Sequence, residues 1–310
     1  MVRRTLISII IPTYNRPDLL QQCLISVLRQ SVDENFDFEI VIAQDKRNAA
    51  LPECLCKLVR ENNKTKAVRA EKPGVNAARN AGIKESRGDI IYFLDDDCKV
   101  PTDNWVNKIY ESFINFPDAC AIGGGYILEN KMSLLSIFRN ALDNFYIKSN
   151  TNPENEAAVL IGGNCGYRRD VFERRGLFDE NIPYGGAETE MNDRIYKNRG
   201  KMRYDAELSV FHLTRGESLF GYFRKSFRQG WGNAYSNIKN DRPRVAVNKK
   251  TKKLWFIRIV KGLDVAFVNK LIAAAFLFLN SIVYWVGFFL SSQRLKMHHT
   301  YSTNLIGYYR

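Results

Sequence analysis

The chain has 310 residues, of which 45% are hydrophobic and 25% charged, and this composition excludes a disordered or fibrous protein. Lys and Arg total 46 against 33 acidic residues, so the net charge of +13 favours anionic partners such as nucleotides, nucleic acid or a membrane surface. Six cysteines are scattered along the chain, and the lone pair Cys54 and Cys56 is a poor zinc signal. We expect reduced core thiols in a cytosolic protein.

The first hundred residues alternate between strand and helix patterns. Apolar runs predict strands at 6–14, 38–45, 66–70 and 89–94, and helical spacing predicts helices at 16–30, 51–62 and 74–86. This alternation predicts a doubly wound α/β architecture with a mostly parallel sheet. The N-terminus runs directly into the first strand pattern, so we expect no signal peptide.

Three consecutive aspartates, Asp95, Asp96 and Asp97, follow the fourth predicted strand. Ligands of such sheets bind beyond the carboxyl ends of the strands, where Tyr14 and Asp45 also lie. The cluster could hold a divalent cation, supply a nucleophile and an acid, or form a solvated turn. Neither a phosphoaspartyl pattern nor an EF-hand pattern is present. Mg²⁺ or Mn²⁺ bridging a diphosphate is therefore the best account of the cluster.

The second half of the chain is less regular. Its pattern predicts a helix at 105–116 and a strand at 119–128, then a strand, a Gly-rich turn and a short helix within 158–180. A helix at 187–200, a strand at 207–216 with His212 near its end, and a long helix at 218–238 follow.

The C-terminal region combines positive charge with an apolar segment. Residues 224–261 carry twelve Lys or Arg and one acid, Asp241. Residues 271–290 are apolar apart from Asn280 and have the length of a membrane-spanning helix. A spanning helix, an interfacial segment and a buried core helix all stay open. The basic flank favours the cytoplasmic face of a membrane.

Five segments carry a family resemblance when they are taken together. They are SIIIPTYNR, FEIVIAQD, GVNAARNAGIKESRGDIIYFLDDD, GGNCGYRRDVFERRGLFDE and GAETEMNDR. In this order and spacing they resemble the family 2 inverting glycosyltransferases of the GT-A fold. The resemblance covers roughly residues 8–216. It implies a GT-A catalytic domain at 1–216. The basic and apolar segments that follow predict a helical, membrane-associating extension at 217–310.

The resemblance also implies which residues contact the nucleotide-sugar. Tyr14 would offer its ring to the base, and Asp45 would accept the N–H of the base, although the family's preceding acid is here Gln44. Arg79 would face the diphosphate. The donor-binding set is Pro12, Thr13, Tyr14, Arg16, Asp45, Arg79, Asp95, Asp96, Gly163 and Asn164.

The resemblance also implies a metal ligand and a catalytic base. Asp97 matches the metal-binding position, with His212 as a further ligand or diphosphate contact. Glu188 matches the catalytic base, which takes the proton of the acceptor hydroxyl, and Glu190 is the alternative. The family commonly shows Glu-Asp where this chain has Ala187 followed by Glu188.

The resulting hypothesis is a transferase that moves a sugar from a nucleotide-diphosphate-sugar, a UDP-sugar, to a hydroxyl with inversion, using Mg²⁺ or Mn²⁺. Its acceptor would be a glycan or a lipid-linked glycan at the cytoplasmic face of a membrane, as in bacterial surface-polysaccharide synthesis, with no nucleic acid as a partner. Two alternatives stay open. One is a basic module that binds nucleic acid or anionic lipid, and the other is a nucleotidyltransferase.

Overall fold

The computed structural model describes residues 4–128, 133–182, 186–213, 218–239, 261 and 267–306. The chain divides into two compact units, which are treated separately below. The first comprises Met1–Glu180 and Met191–Arg215, and the second comprises Asn181–Glu190 and Gly216–Arg310. The predicted boundary at 216–217 lies outside the described residues, and the division into residues 1–216 and 217–310 stays a prediction.

A seven-stranded sheet forms the centre of the first unit, in the order β3-β2-β1-β4-β8-β6-β9. Its strands are β1 (Thr5–Thr13), β2 (Phe36–Gln44), β3 (Thr65–Arg69), β4 (Ile90–Leu94), β6 (Ala119–Gly123), β8 (Asn164–Arg168) and β9 (Lys201–Tyr204). A small sheet joins β5 (Cys98–Lys99), β10 (Val210–His212) and β7 (Tyr126–Ile127). In the large sheet only β8 runs antiparallel to its neighbours, β4 and β6. The predicted mostly parallel α/β fold is therefore confirmed.

The described residues of the first unit also form six complete helices and a 3-10 turn. They are α1 (Pro17–Leu28), α2 (Glu53–Glu61), α3 (Val75–Glu85), α4 (Trp105–Asn115), α5 (Leu134–Ser149), α6 (Arg169–Arg175) and the turn Ala206–Leu208. Helix α7 (Ala187–Lys197) begins among the residues of the second unit, which also contains α8 (Leu219–Lys239) and α9 (Phe267–Ile306).

Strand β1 shows why the sheet is covered on both faces. Its alternate side chains enter two separate cores: Ile9 packs in the cluster that contains Leu24 of α1 and Trp105 of α4. Ile10 points the other way, into the cluster that contains Ala78 of α3. A strand that is apolar on both faces is what a doubly wound sheet requires.

The carboxyl ends of the central strands meet at one edge of the sheet. Thr13 pairs with Gln44 at the ends of β1 and β2, and the Asp45 amide donates to the carbonyl oxygen of Thr13 at 3.0 Å. Strand β4 lies parallel to β1 on its other side, so it brings Asp95 to the same edge. The expected convergence of polar residues therefore follows from the register of three parallel strands.

Several elements differ from the sequence prediction. The strand predicted at 119–128 is split into β6 and β7 because the chain passes close to another segment at Gly124, where a Cβ would lie 2.4 Å from the Leu208 carbonyl carbon. In the segment 158–180 the strand β8 follows the Gly-rich turn instead of preceding it. Helix α5 and strand β9 were not predicted.

The prediction that the cysteines are core residues is correct in part, and their reduced state stays a prediction. Cys23, Cys98 and Cys165 are buried, but Cys54 is exposed, so it is not a core residue.

Helices α8 and α9 dominate the second unit. Within α9, the segment Asn269–Arg294 is long and apolar enough to cross a membrane, with a mean hydropathy of 2.0 and 28% of it buried. Length and composition alone are weak evidence for a membrane span. Most of the predicted basic run, residues 240–260, lies outside the described residues.

Candidate active site

The three aspartates form a tight turn between β4 and β5. The Cys98 amide donates to the Asp95 carbonyl oxygen at 2.9 Å, which closes the turn. The side chains have different environments: that of Asp95 is 31% exposed, that of Asp97 is 13% exposed, and that of Asp96 is fully buried. The three carboxylates therefore differ in their exposure to solvent.

Asp96 is held by residues that follow β1. The hydroxyl of Thr13 donates to Asp96 Oδ2 at 2.7 Å, and the guanidinium of Arg16 forms an ion pair with Asp96 Oδ1. Burial raises the pKa of Asp96 to about 7, although the charge of Arg16 and the Thr13 hydrogen bond act in the opposite direction. Asp96 thus exchanges its proton near neutral pH.

Asp97 lies between two basic side chains. Arg16 Nη1 is 2.5 Å from Asp97 Oδ2, and His212 Nε2 is 3.5 Å from Asp97 Oδ1. Burial by itself would raise the pKa of Asp97, but the interactions with His212 and the charge of Arg16 outweigh it and hold this pKa well below the usual range. Asp97 is therefore an anion near neutral pH.

His212 is held in place from three directions. It pairs with Cys98 across the small sheet, and the Leu213 amide donates to the Asp97 carbonyl oxygen at 2.6 Å. The imidazole stacks on Tyr126, with ring centroids 4.6 Å apart and an interplanar angle of 16°. The β-sheet pairing explains how a residue late in the sequence reaches the aspartate turn.

The donor set at Asp97 and His212 fits a divalent cation. Among the described residues, Asp97 Oδ1 is a buried oxygen that accepts no hydrogen bond. It lies 3.5 Å from His212 Nε2, so one ion with metal–ligand distances of about 2.1 Å could touch both atoms. The described part of the chain contains no group of three or more His, Cys, Asp or Glu side chains that could hold a metal alone. Further ligands would have to come from a substrate, as is usual for Mg²⁺ at phosphate sites.

Asp45 and Tyr14 share a partner that the sequence did not indicate. Arg47 Nε donates to Asp45 Oδ1 at 2.9 Å, and the Gly74 amide donates to Asp45 Oδ2 at 2.7 Å. The Arg47 guanidinium also lies 4.8 Å from the centroid of the exposed Tyr14 ring. Burial would raise the pKa of Asp45, but Arg47 and the backbone donors outweigh it and lower the value to about 2. A nucleobase that donates its N–H to Asp45 must share this carboxylate with Arg47 and the Gly74 amide, or displace them.

Arg79 and Gly163 lie beneath Asp95. The buried Arg79 donates from Nη2 to the Gly162 carbonyl oxygen at 3.0 Å, and it lies 3.6 Å from Asp95 Oδ1. The Gly163 carbonyl oxygen accepts from the Asp95 amide at 3.0 Å. A Cβ on Gly163 would lie 2.3 Å from Asp95 Oδ2, so a larger residue here would displace this carboxylate.

Asn164 and Pro12 occupy buried positions next to the site. Asn164 Oδ1 accepts from the Tyr92 hydroxyl at 2.8 Å, and its Nδ2 donates to the carbonyl oxygens of Gly125 and Leu208, both at 3.0 Å. Asn164 is completely buried, and Pro12 lies buried within β1. In this structure the Asn164 amide bonds to other parts of the protein.

These residues form a carboxylate turn at the edge of an α/β sheet. The profile of glycosyl transferase family 2 matches residues 8–176, which is more than half of the chain. The chain belongs to this family.

Curated relatives extend the similarity of this family 2 chain. Glycosyltransferase GlyA of Streptococcus pneumoniae is 25% identical over 68% of the chain and 31% of its own length. Glycosyltransferase AglE of Haloferax volcanii is 27% identical over 73% of the chain and 72% of its own length. The minor teichoic acid biosynthesis protein GgaA of Bacillus subtilis is 27% identical over 68% of the chain and 47% of its own length. The chain thus spans less than half of two of these three relatives.

Solved structures share the fold at low sequence identity. The mannosyltransferase PcManGT of Pyrobaculum calidifontis, solved with GDP-Man and Mn²⁺, has a TM-score of 0.64 at 13% identity, covering 94% of this chain and 88% of that one. S. aureus TarS has a TM-score of 0.53 at 13% identity, covering 91% of this chain and 54% of that one. These likenesses support the GT-A-like architecture of the family 2 chain.

The two candidates for the catalytic base have different surroundings within the second unit. Both lie in the first turn of α7, where Glu188 is partly exposed and Glu190 is fully buried. Lys239 Nζ of α8 is 3.1 Å from Glu190 Oε1. The preceding Gly186 has φ +72°, and a Cβ on it would lie 2.7 Å from the Gly232 carbonyl carbon. Glu188 is therefore the more accessible carboxylate of the two.

Three residues near the site were missed in the sequence analysis. Arg47 contacts Tyr14 and Asp45, Tyr126 supports His212, and Gly74 donates its amide to Asp45. Arg47 is an exposed arginine in a loop, and nothing in its sequence context separates it from other surface arginines. Tyr126 follows the Gly-rich break after β6, which could have marked it as a site residue.

Proposed function

We propose that this family 2 chain transfers a sugar from a nucleotide-diphosphate-sugar to an acceptor hydroxyl with inversion. The observation that carries the proposal is the ionised Asp97 beside His212 at the end of β4, with one buried oxygen that accepts no hydrogen bond within the described residues. Carboxylates at the strand ends of a GT-A-like sheet suit the binding of a sugar diphosphate and its cation.

In this proposal the nucleotide lies along the ends of β1 and β2. Tyr14 supplies an exposed ring for stacking, and Asp45 supplies a carboxylate for an N–H of the base, as for a UDP-sugar. The base would replace Arg47 on the Tyr14 ring, where the guanidinium now lies 4.8 Å from the centroid. Asp95 would bind the ribose, since its side chain is more exposed than those of Asp96 and Asp97.

Asp97 and His212 would hold Mg²⁺ or Mn²⁺ together with the donor phosphates. When bound, the cation would neutralise charge that builds on the diphosphate leaving group. The mannosyltransferase PcManGT, which has a similar fold, was solved with Mn²⁺. Arg16 would turn from the aspartates towards the phosphates, because a guanidinium matches phosphate geometry.

Glu188 would act as the general base. Its side chain is partly exposed in the first turn of α7. It would take the proton of the acceptor hydroxyl while that oxygen attacks the anomeric carbon from the face opposite the diphosphate. A single displacement of this kind inverts the anomeric configuration.

The acceptor would be a glycan or a lipid-linked glycan at the cytoplasmic face of a membrane. Two observations support this choice. Helix α9 carries an apolar segment of 26 residues, and it belongs to the same compact unit as Glu188. The relative GgaA is a teichoic acid biosynthesis protein.

The test is a panel of nucleotide-sugars, with UDP-sugars first, in which release of nucleoside diphosphate is followed with and without EDTA. We expect release from one donor, loss with EDTA, and recovery with Mg²⁺ or Mn²⁺. Asp97→Asn should abolish release, whereas the matched surface variant Asp103→Asn should retain it, because Asp103 is exposed. Glu188→Gln should bind the donor normally and lose about 10²- to 10⁴-fold in transfer.

The products separate this proposal from its alternatives. Release of pyrophosphate would indicate a nucleotidyltransferase. Salt-sensitive binding of nucleic acid that survives Asp97→Asn, without any donor binding, would indicate a basic binding module. Proton NMR of the first product reports the anomeric configuration, and a retained configuration would contradict the single displacement.

A further inference from the structure

Parts of the backbones of α8 and α9 are so close together that no side chain fits between them. A Cβ on Gly287 of α9 would lie 2.2 Å from the Phe227 carbonyl oxygen of α8. A Cβ on Gly230 of α8 would lie 2.0 Å from the Tyr284 carbonyl oxygen of α9. Asn233 Nδ2 donates to the Tyr284 hydroxyl at 2.9 Å. The two glycines therefore lock the helices into one contact geometry.

The order of these contacts shows that the two helices run parallel. Tyr222 near the start of α8 meets Phe276 in the first part of α9, with ring centroids 4.7 Å apart. Later in both helices, the Arg294 guanidinium lies 6.0 Å from the Trp231 ring centroid. Helix α8 thus accompanies α9 through most of its apolar segment, which runs from Asn269 to Arg294.

The side of α9 away from this contact is an exposed apolar stripe. Its side chains are 46–62% exposed in the structure, which is unusual for a set of this size. The stripe consists of Leu271, Ile272, Phe278, Leu279, Ile282, Trp285, Val286, Phe289 and Leu290. Such a surface needs an apolar partner.

We propose that the stripe lies in the plane of an anionic membrane surface, and that α9 does not span the bilayer. Arg224, Lys225 and Arg228 of α8 flank Phe227, which contacts Gly287 in the central part of the apolar segment. A spanning α9 would carry these three cations towards the middle of the hydrocarbon, where charged side chains are costly.

Separation of the helices would carry a different cost. An α9 that spanned alone would leave α8 and expose the surface around Gly230, where the backbones now touch. A helix lying at the interface keeps this contact, buries its stripe among the acyl chains and leaves the cations of α8 near anionic head groups. This inference deepens the proposed membrane association of the enzyme and rests on it.

Binding is tested first with the full chain and sealed vesicles of phosphatidylcholine, with or without phosphatidylglycerol. We expect sedimentation with the anionic vesicles, and weaker binding at high salt. Ile282→Ser on the stripe should weaken binding about tenfold. The matched control is Ile114→Ser on α4, which removes a similarly exposed isoleucine outside the stripe and should leave binding unchanged. No binding of the wild type to either vesicle would overturn both the inference and the membrane association.

Depth measurements then separate an interfacial helix from a spanning one. Spin labels are placed at Leu271→Cys or Ile282→Cys, in a background where the three cysteines that are not buried, Cys54, Cys56 and Cys120, are changed to Ser. The two sites lie on the same side of α9, about 16 Å apart along the axis. Power-saturation EPR should report one shallow depth for both. A label near the bilayer centre at 282 and near the surface at 271 would overturn the inference while leaving membrane association and transferase activity intact.

Discussion

Arg16 and Asp97 form an ion pair, with Nη1 of Arg16 2.5 Å from Asp97 Oδ2, and the same guanidinium also pairs with Asp96. Thus the positive charge beside the aspartate cluster belongs to the protein itself. Arg16 is 41% exposed at its side chain, so it can leave the carboxylates without disturbing the core. In the proposed enzyme it competes with the divalent cation for Asp97.

This competition predicts the effect of Arg16→Gln on metal binding. Without the guanidinium, Asp97 loses an internal partner, and the donor-free protein should bind Mn²⁺ roughly five- to tenfold more tightly, as expected for losing a partly exposed ion pair. Titration of free Mn²⁺ by EPR measures this directly. Arg47→Gln is the control, since Arg47 pairs with Asp45, and it should not change Mn²⁺ affinity. Unchanged or weaker binding in Arg16→Gln would show that no such competition exists.

The pKa of Asp96 predicts a pH-dependent stability. Burial raises this pKa to about 7 in the folded chain, against about 3.9 in an unfolded chain. The folded protein therefore holds a proton that the unfolded chain releases. The stabilising contribution is complete below pH 4 and is lost as the pH rises to about 7.

Asp96→Asn keeps the size of the side chain and an oxygen for Thr13, but it removes this titration. Urea unfolding at pH 5 and pH 8 should show a smaller loss of stability in the variant than in the wild type. Asp103→Asn, at an exposed position, should follow the wild type. Equal losses in Asp96→Asn and the wild type would mean that Asp96 is ionised throughout this range.

The buried amide of Asn164 predicts a structural phenotype. Asn164→Leu would leave the buried Tyr92 hydroxyl without its acceptor, at a cost of about 2 kcal/mol in unfolding free energy. The carbonyl oxygens of Gly125 and Leu208 would keep the Val210 amide and Trp105 Nε1 as donors. Tyr92→Phe removes only one hydroxyl and should cost about 1 kcal/mol. Guanidinium unfolding of both variants and of the double variant measures the coupling. A stable Asn164→Leu protein that fails to bind the donor would instead assign this residue to substrate binding.

Local sequence patterns predicted the part of the fold that local forces determine. Strands β1, β2 and β4 are continuous apolar runs, and Pro17 lies in the first turn of α1 as expected. The placement of Asp95 at a strand end followed from the same pattern. The turn residues Thr13 and Asp45 reached the same edge because parallel strands align their carboxyl ends.

The pairing of side chains could not be predicted in this way. Arg16 reaches Asp97 only because β1 and β4 are neighbours, and His212 reaches it only through the small sheet. The Gly-rich turn before β8 was misread since its apolar neighbours resemble a strand, although the strand begins at Asn164. Such contacts join residues that are far apart in the sequence. A sequence pattern does not show which of these residues lie close together in space.

The burial of Glu190 is another feature that the sequence could not predict, and it leads to the last prediction. Glu190 is fully buried and pairs with Lys239 at 3.1 Å, while Glu188 in the same helical turn is partly exposed. Glu190→Gln removes the ion pair with Lys239, whose side chain is 42% exposed, and should lower the unfolding free energy by about 1 kcal/mol. Glu188→Gln should cost little stability but lower sugar transfer about 10²- to 10⁴-fold. Urea unfolding and turnover, measured on the same preparations, separate the two roles. A stable Glu190→Gln that has lost transfer, together with an active Glu188→Gln, would move the catalytic base to Glu190.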